Sequence, residues 1–172
     1  MHGVRELVKL KYKEGEGVFV EYTVDRNDNS ARDTMTLKTN DAPRRELADA
    51  LQAMAPHLVE MIEAPREWLA SITVRSVTVT HTNDVQGLVI TGLRELENSN
   101  APLVINTPHF TRESYNEGGG DDIGIFTSAC ANALDELETL ALRFVDGDRA
   151  QQELDFADGT PVGTREAQAA LV

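Results

Sequence analysis

The sequence predicts an α+β fold built from two βββα units, with antiparallel sheets and two main helices. Two observations carry this. Apolar residues alternate with period two up to Thr39 and then recur at three- and four-residue spacing, and the same change of period returns in the second half. The predicted boundaries are 1–66 for the first unit, 67–147 for a second unit sharing its core, and 148–172 for a polar C-terminal tail.

Residues 4–13, VRELVKLKYK, alternate so that Val8, Leu10 and Tyr12 share one face and Arg5, Leu7, Lys9, Lys11 and Lys13 the other, the pattern of a half-buried strand. EGEG separates it from VFVEYTV, in which Val18, Val20, Tyr22 and Val24 oppose Phe19, Glu21 and Thr23, so the two read as a hairpin. After the turn DRNDNS, a third strand, DTMTLKT, sets Met35 and Leu37 against Thr34, Thr36 and Lys38. Leu47, Leu51, Met54, Leu58 and Met61 or Ile62 then mark an amphipathic helix, with Asp41 as its expected N-cap and Pro43 in its first turn. Pro56 should kink or divide that helix, because proline removes a backbone hydrogen bond and clashes with the preceding turn.

In the second unit ITVRSVTVTH and GLVITGLREL flank the turn NDVQ, and LVINT follows the turn ENSNAP. Apolar parity shifts between Val74 and Val77, which points to a β-bulge or a strand with two partly buried faces. A glycine-containing loop leads to a helix whose stripe is Cys130, Ala133, Leu134, Leu137, Ala141, Phe144 and Val145, with Gly147 as its C-terminal cap. Set side by side, VREL and GVFVEYTV match VRSV and GLVITGLR, as a duplication would produce. The two sets of strands either join into one sheet with both helices on one side or pack against each other, since both layer arrangements bury the apolar faces.

The formal charge is −13, but it is unevenly spread. Residues 1–112 hold 16 acids and 13 bases, net −3, whereas 113–172 hold 13 acids and 3 bases, net −10. This balance argues against a basic protein coating duplex DNA, whose affinity comes from phosphate neutralisation. The lone cysteine, Cys130, excludes an intramolecular disulfide, and no apolar stretch reaches the length of a membrane span, so the expectation is a protein of the cytoplasm with no membrane partner. With scattered histidines, no GxSxG elbow, no HExxH and no phosphate-binding glycine loop, neither an enzyme nor a cofactor nor a structural metal is expected.

Two regions carry chemistry. Lys9, Lys11 and Lys13 project from one strand face about 6 to 7 Å apart, a spacing along which a nucleic-acid backbone can track. Lys38 and Phe19 are expected to join them, the aromatic ring as a stacking surface. Lysines on an exposed strand also serve solubility and discourage edge-to-edge aggregation. The second region, INTPHFTRESYNEGGGDD, gathers Glu117, Asp121 and Asp122 near flexible glycines, a candidate contact for a partner protein and a weaker one for a divalent cation in a hydrolase.

ITGLRELENSNAPLVINTPHF, together with the helix ending in ALRFVDGDRAQ, resembles small uncharacterised proteins of bacteriophages and prophages, from which no function follows. The element order is similar to that of the PC4 and Whirly groups of single-stranded DNA-binding proteins, whose curved sheets present basic and aromatic residues. This chain departs from them in having three strands per unit and an acidic net charge. The basic strand face leads to the expectation of a non-enzymatic phage-type accessory protein that binds single-stranded DNA through Lys9, Lys11, Lys13, Lys38 and Phe19, and the similar element order makes that binding worth testing. The alternative is a protein-interaction module, an inhibitor of a host system or an assembly component, acting through its acidic C-terminal third. Either function is compatible with a homo-oligomer.

Overall fold

The computed structural model describes residues 3–26, 31–114 and 123–150, and the backbone of 156–157 and 160–161. The first half consists of β1 (Arg5–Lys13), β2 (Gly17–Asp25), β3 (Arg32–Thr39), α1 (Arg45–Gln52) and α2 (Ala55–Met61). A 3-10 turn at Arg66–Ser71 leads into β4 (Ile72–Thr82), β5 (Val85–Arg94), β6 (Leu103–Asn106), β7 (Phe110–Thr111) and α3 (Ser128–Val145). A two-residue pair, β8 (Phe156–Ala157) and β9 (Thr160–Pro161), follows. The expected α+β architecture is present, with an additional short strand, β7, beside β5.

The strands form one antiparallel sheet in the order β3-β2-β1-β4-β5-β6, so the open alternative resolves in favour of a continuous sheet. Its two halves join through β1 and β4, and each of these carries a bulge: register shifts across Val8 in β1 and across Arg75 in β4. Leu10 faces Val77, each the second residue after its bulge, while Lys9 faces Thr78 and Lys11 faces Ser76. Those pairings are the ones a two-fold axis through Leu10 and Val77 requires. In the outer strands Val20 opposes Leu10 as Ile90 opposes Val77, and Tyr22 opposes Met35 as Gly92 opposes Ile105. GVFVEYTV and GLVITGLR occupy corresponding places in the register, whereas VREL and VRSV do not, because the bulges align Val8 with Arg75.

The β1 bulge also corrects the face assignment. An extra residue reverses parity, so Leu7 joins Leu10 in the core, fully buried, while Lys9, Lys11 and Lys13 remain on the opposite side. Arg5 moves with Leu7 and forms a two-pronged pair with Asp146 at the end of α3, at 2.7 and 2.8 Å. The β4–β5 hairpin closes at Asn83 and Asp84, both at positive φ (51° and 63°), as the right-handed twist of a two-residue hairpin demands.

The helices lie on one face of the sheet and bury Leu10, Val20, Val77, Leu88 and Ile90 in a single core with Met54, Leu58, Leu134 and Leu137. Gly92 admits α2, since a Cβ there would stand 2.7 Å from Leu58 Cδ1. Pro56 divides the first helix as expected, sitting in the first turn of α2. Asp41 is not the N-cap; Arg44 takes that place without a side-chain cap, and the Asp41 carboxylate instead pairs with Arg149 at 3.3 Å. Arg44 binds Asp148 at 2.5 Å and Ala150 N–H donates to Ala42 C=O, so the first residues of the tail are fastened to the entry of α1. Thr127 caps α3 by accepting from Cys130 N–H, and Gly147, at φ 106°, ends it. Among the described residues, no helix is long and apolar enough to cross a membrane.

Candidate nucleic-acid interface

All five residues expected at a nucleic-acid site fall on the sheet face opposite the helices. Cross-strand partners point to the same side, so the register Lys38–Phe19–Lys11–Ser76–Thr91–Asn106 is one row crossing all six long strands. Perpendicular to it, Lys9 and Lys13 flank Lys11 along β1. Lys11, Lys13 and Lys38 are exposed, while Lys9 and Phe19 are half-buried among neighbours on the face. Phe19 therefore lies directly between two lysines, about 5 Å from each strand on either side.

The patch is not purely basic, because Glu21 stands directly opposite Lys9 on the same face. Lys13 is ion-paired with Glu16 of the β1–β2 turn, whereas among the described residues no carboxylate comes within 4.0 Å of Lys9, Lys11 or Lys38. Glu16 is held below the usual carboxylate range, chiefly by its bond to Lys13, with the nearby charges of Lys13, Arg75 and Lys11 acting in the same direction. Arg75 thus belongs to the basic patch, although the sequence reading did not select it. The signal was the parity break in β4, which located the bulge without indicating which side chain it would redirect.

β1 is flanked by β2 and, over Lys9–Lys11, by β4, so Lys9 and Lys11 protect no open sheet edge; Lys13 lies past the end of the β1–β4 ladder, and Lys38 stands on the edge strand β3. The fold does not require lysine at these positions either. The two-fold equivalents of Lys9, Lys11 and Lys13 are Ser76, Thr78 and Thr80, and the equivalent of Phe19 is Val89.

The chemically loaded segment after β6 is divided by the structure. Thr107 is buried, and its hydroxyl accepts from Ile90 N–H at 2.9 Å, so it is part of the scaffold. Asn106 and His109 lie on the open face, where Thr91 Oγ1 donates to Asn106 Oδ1 (2.7 Å) and Thr80 Oγ1 stands 2.8 Å from His109 Nε2. Arg112 turns instead to α3 and pairs with Asp135 at 2.5 Å. Glu117, Asp121 and Asp122, the expected partner contacts, lie outside the described residues.

On the helix side, His57, Glu60, Phe110, Phe126 and Cys130 line a small apolar cavity. Burial lowers the basicity of His57 despite the opposing pull of Glu60, and burial pushes the Cys130 thiol up to about 12. A thiol so held is a packing residue rather than a nucleophile. Among the described residues no group of three or more His, Cys, Asp or Glu side chains is placed to hold a metal ion. Comparison with family models, curated proteins and solved structures found no match to this chain.

Proposed function

We propose that the chain binds single-stranded DNA through the open face of β1, β2 and β3. The observation that carries this reading is the collection of Lys9, Lys11, Lys13 and Lys38 around Phe19 on a sheet face that no helix among the described residues covers, with hydroxyls and valine at the two-fold counterparts of Lys9, Lys11, Lys13 and Phe19. Lysine ammonium groups at two-residue spacing meet successive phosphates, while the aromatic ring between Lys11 and Lys38 offers a base a stacking surface. Duplex DNA fits less well, because stacked bases are closed to Phe19 and the chain's net charge of −13 opposes a wide polyanion.

The test is fluorescence anisotropy of a labelled single strand of about 30 nucleotides, and of its duplex, between about 50 and 200 mM salt. Four phosphate contacts by the four lysines give a log–log salt slope of about −2.8, which is roughly a 50-fold loss of affinity over that range. The variant Lys9→Gln/Lys11→Gln/Lys13→Gln should lose most of the binding while its urea midpoint stays near wild type, since the neutral side chains set no like charge against Glu21 or Glu16. Absence of single-strand binding at the low salt concentration refutes the proposal and directs attention to protein partners of the acidic C-terminal third.

A further inference from the structure

β3 is an edge strand of eight residues whose outer side pairs with no strand among the described residues. The ladder with β2 shows which backbone groups that side offers. Arg26 N–H donates to Ala31 C=O at 3.1 Å, and the register runs on from that pair through Val24–Asp33, Tyr22–Met35 and Val20–Leu37. Hydrogen-bonded pairs in an antiparallel ladder recur at every second residue, so Asp33, Met35 and Leu37 direct their N–H and C=O groups at β2. Arg32, Thr34, Thr36 and Lys38 direct theirs outward, where no hydrogen bond among the described residues takes them. The side chains divide by face: Met35 and Leu37 lie on the helix side with Tyr22 and Val20, yet Met35 is left 46% exposed, while Thr34, Thr36 and Lys38 share the open face.

A second copy can extend this edge antiparallel about a two-fold axis perpendicular to the sheet, which keeps like faces together and so requires opposed residue numbers to sum to an even value. Two such registers overlap all but one residue of the strand. The one centred on Met35 sets Arg32 against Lys38 and Asp33 against Leu37, a like-charge pair and a charge against an apolar side chain. The one centred on Thr36 sets Met35 against Leu37, Thr34 against Lys38 and Thr36 against itself. It joins apolar to apolar on the helix side, and the outward N–H of each of Thr34, Thr36 and Lys38 gains a carbonyl acceptor.

We infer that the chain forms a two-fold dimer by pairing β3 with β3 of a second copy, Thr36 against Thr36. Lysine on an edge strand discourages pairing where it meets a like charge, but here Lys38 meets a threonine and keeps its ammonium on the open face. The other edge, β6, is four residues long, and pairing it with β3 would repeat without closing and give filaments. The dimer stands apart from the single-strand reading, and it puts both basic patches on one side of a continuous sheet.

Cysteine cross-linking reads the register. Opposed Thr36 residues stand about 5.5 Å apart at Cα, a disulfide distance, whereas the two copies of Thr34 are offset by about 13 Å. The native thiol, Cys130, is buried. Under mild oxidation Thr36→Cys should run as a covalent dimer on a non-reducing gel while Thr34→Cys stays a monomer at the same concentration. No cross-link in Thr36→Cys, or equal cross-linking in both, overturns the pairing. Sedimentation equilibrium of the wild type over about 1 to 300 μM should show the mass rising toward twice that of one chain. A wild-type chain that stays monomeric throughout, or that grows past a dimer, also overturns it. Thr36→Pro removes an N–H that the β2–β3 ladder does not use, so it should fold normally and remain monomeric. A folded Thr36→Pro that still dimerises refutes the interface, and the cysteine pair decides the matter if that variant does not fold.

Discussion

The β1 bulge makes a quantitative prediction through Leu7. Unbroken alternation would set Leu7 on the open face beside Lys9, where truncation to alanine changes stability by about 0.5 kcal/mol or less. The extra residue at Val8 instead turns Leu7 inward, with 0% of its surface exposed. Leu7→Ala then removes a buried isobutyl group, losing the transfer free energy of its atoms and leaving a cavity that the sheet and α3 close only partly. The expected cost is about 3 kcal/mol, within the range for buried leucines. For a chain of this size that corresponds to a melting point lower by roughly 6 to 12 °C. Val8→Ala, half-buried at the bulge, should cost about 1 kcal/mol or less. Urea unfolding followed by circular dichroism measures both, with an unchanged m-value showing that the two-state comparison holds. A loss below about 1 kcal/mol for Leu7→Ala, or a larger loss for Val8→Ala than for Leu7→Ala, refutes the inward turn of Leu7.

Two further predictions concern titratable groups on the helix side. His57 is less basic in the folded chain than the ordinary 6.5 because burial disfavours its cation, so the unfolded chain takes up the proton first as pH falls. Its neutral form supports the fold fully above the unfolded value, and that support is lost as pH drops below about 6.5 toward the folded value; the fall in urea midpoint between about pH 7.5 and pH 5 should therefore be smaller in His57→Gln, and an unchanged fall would show that His57 is not responsible. Cys130, with its thiol pushed up to about 12 inside the cavity, should react with an aromatic disulfide reagent at about pH 8 only through opening of the fold. Urea below the midpoint should speed labelling, and rapid stoichiometric labelling of the native chain would contradict the burial.

Alternation in β1, β2, β4 and β5 and the helical spacing of Leu47 to Leu58 and of Cys130 to Phe144 made the α+β class and element order readable, because burial of one face imposes periods of two and near four. Pro56 and Gly147 also acted as read, since their backbone constraints are local. The N-cap was misplaced for the opposite reason: the Asp41 carboxylate pairs with Arg149, more than a hundred residues away in the chain, a contact that local spacing does not show. Likewise β7 is too short to show a period, and it exists because Phe110 and Thr111 find an open stretch of β5.

For the candidate site, composition and alternation put Lys9, Lys11 and Lys13 on one face, and nothing in the chain order said that Lys38 and Phe19 would line up with Lys11 in a single row. Strand register decided that, as it decided that Asn106 lies in the same row and that Arg75 belongs to the basic patch. Local sequence by itself determined which residues form strands and helices, because side-chain period and backbone preference act within a few residues. Only the tertiary structure decided that β1 is an interior strand, that a bulge turns Leu7 inward, and that both sets of strands share one sheet. Those outcomes depend on pairing between segments some seventy residues apart, whose free energy lies in long-range packing and hydrogen bonds and leaves no signature in either segment alone.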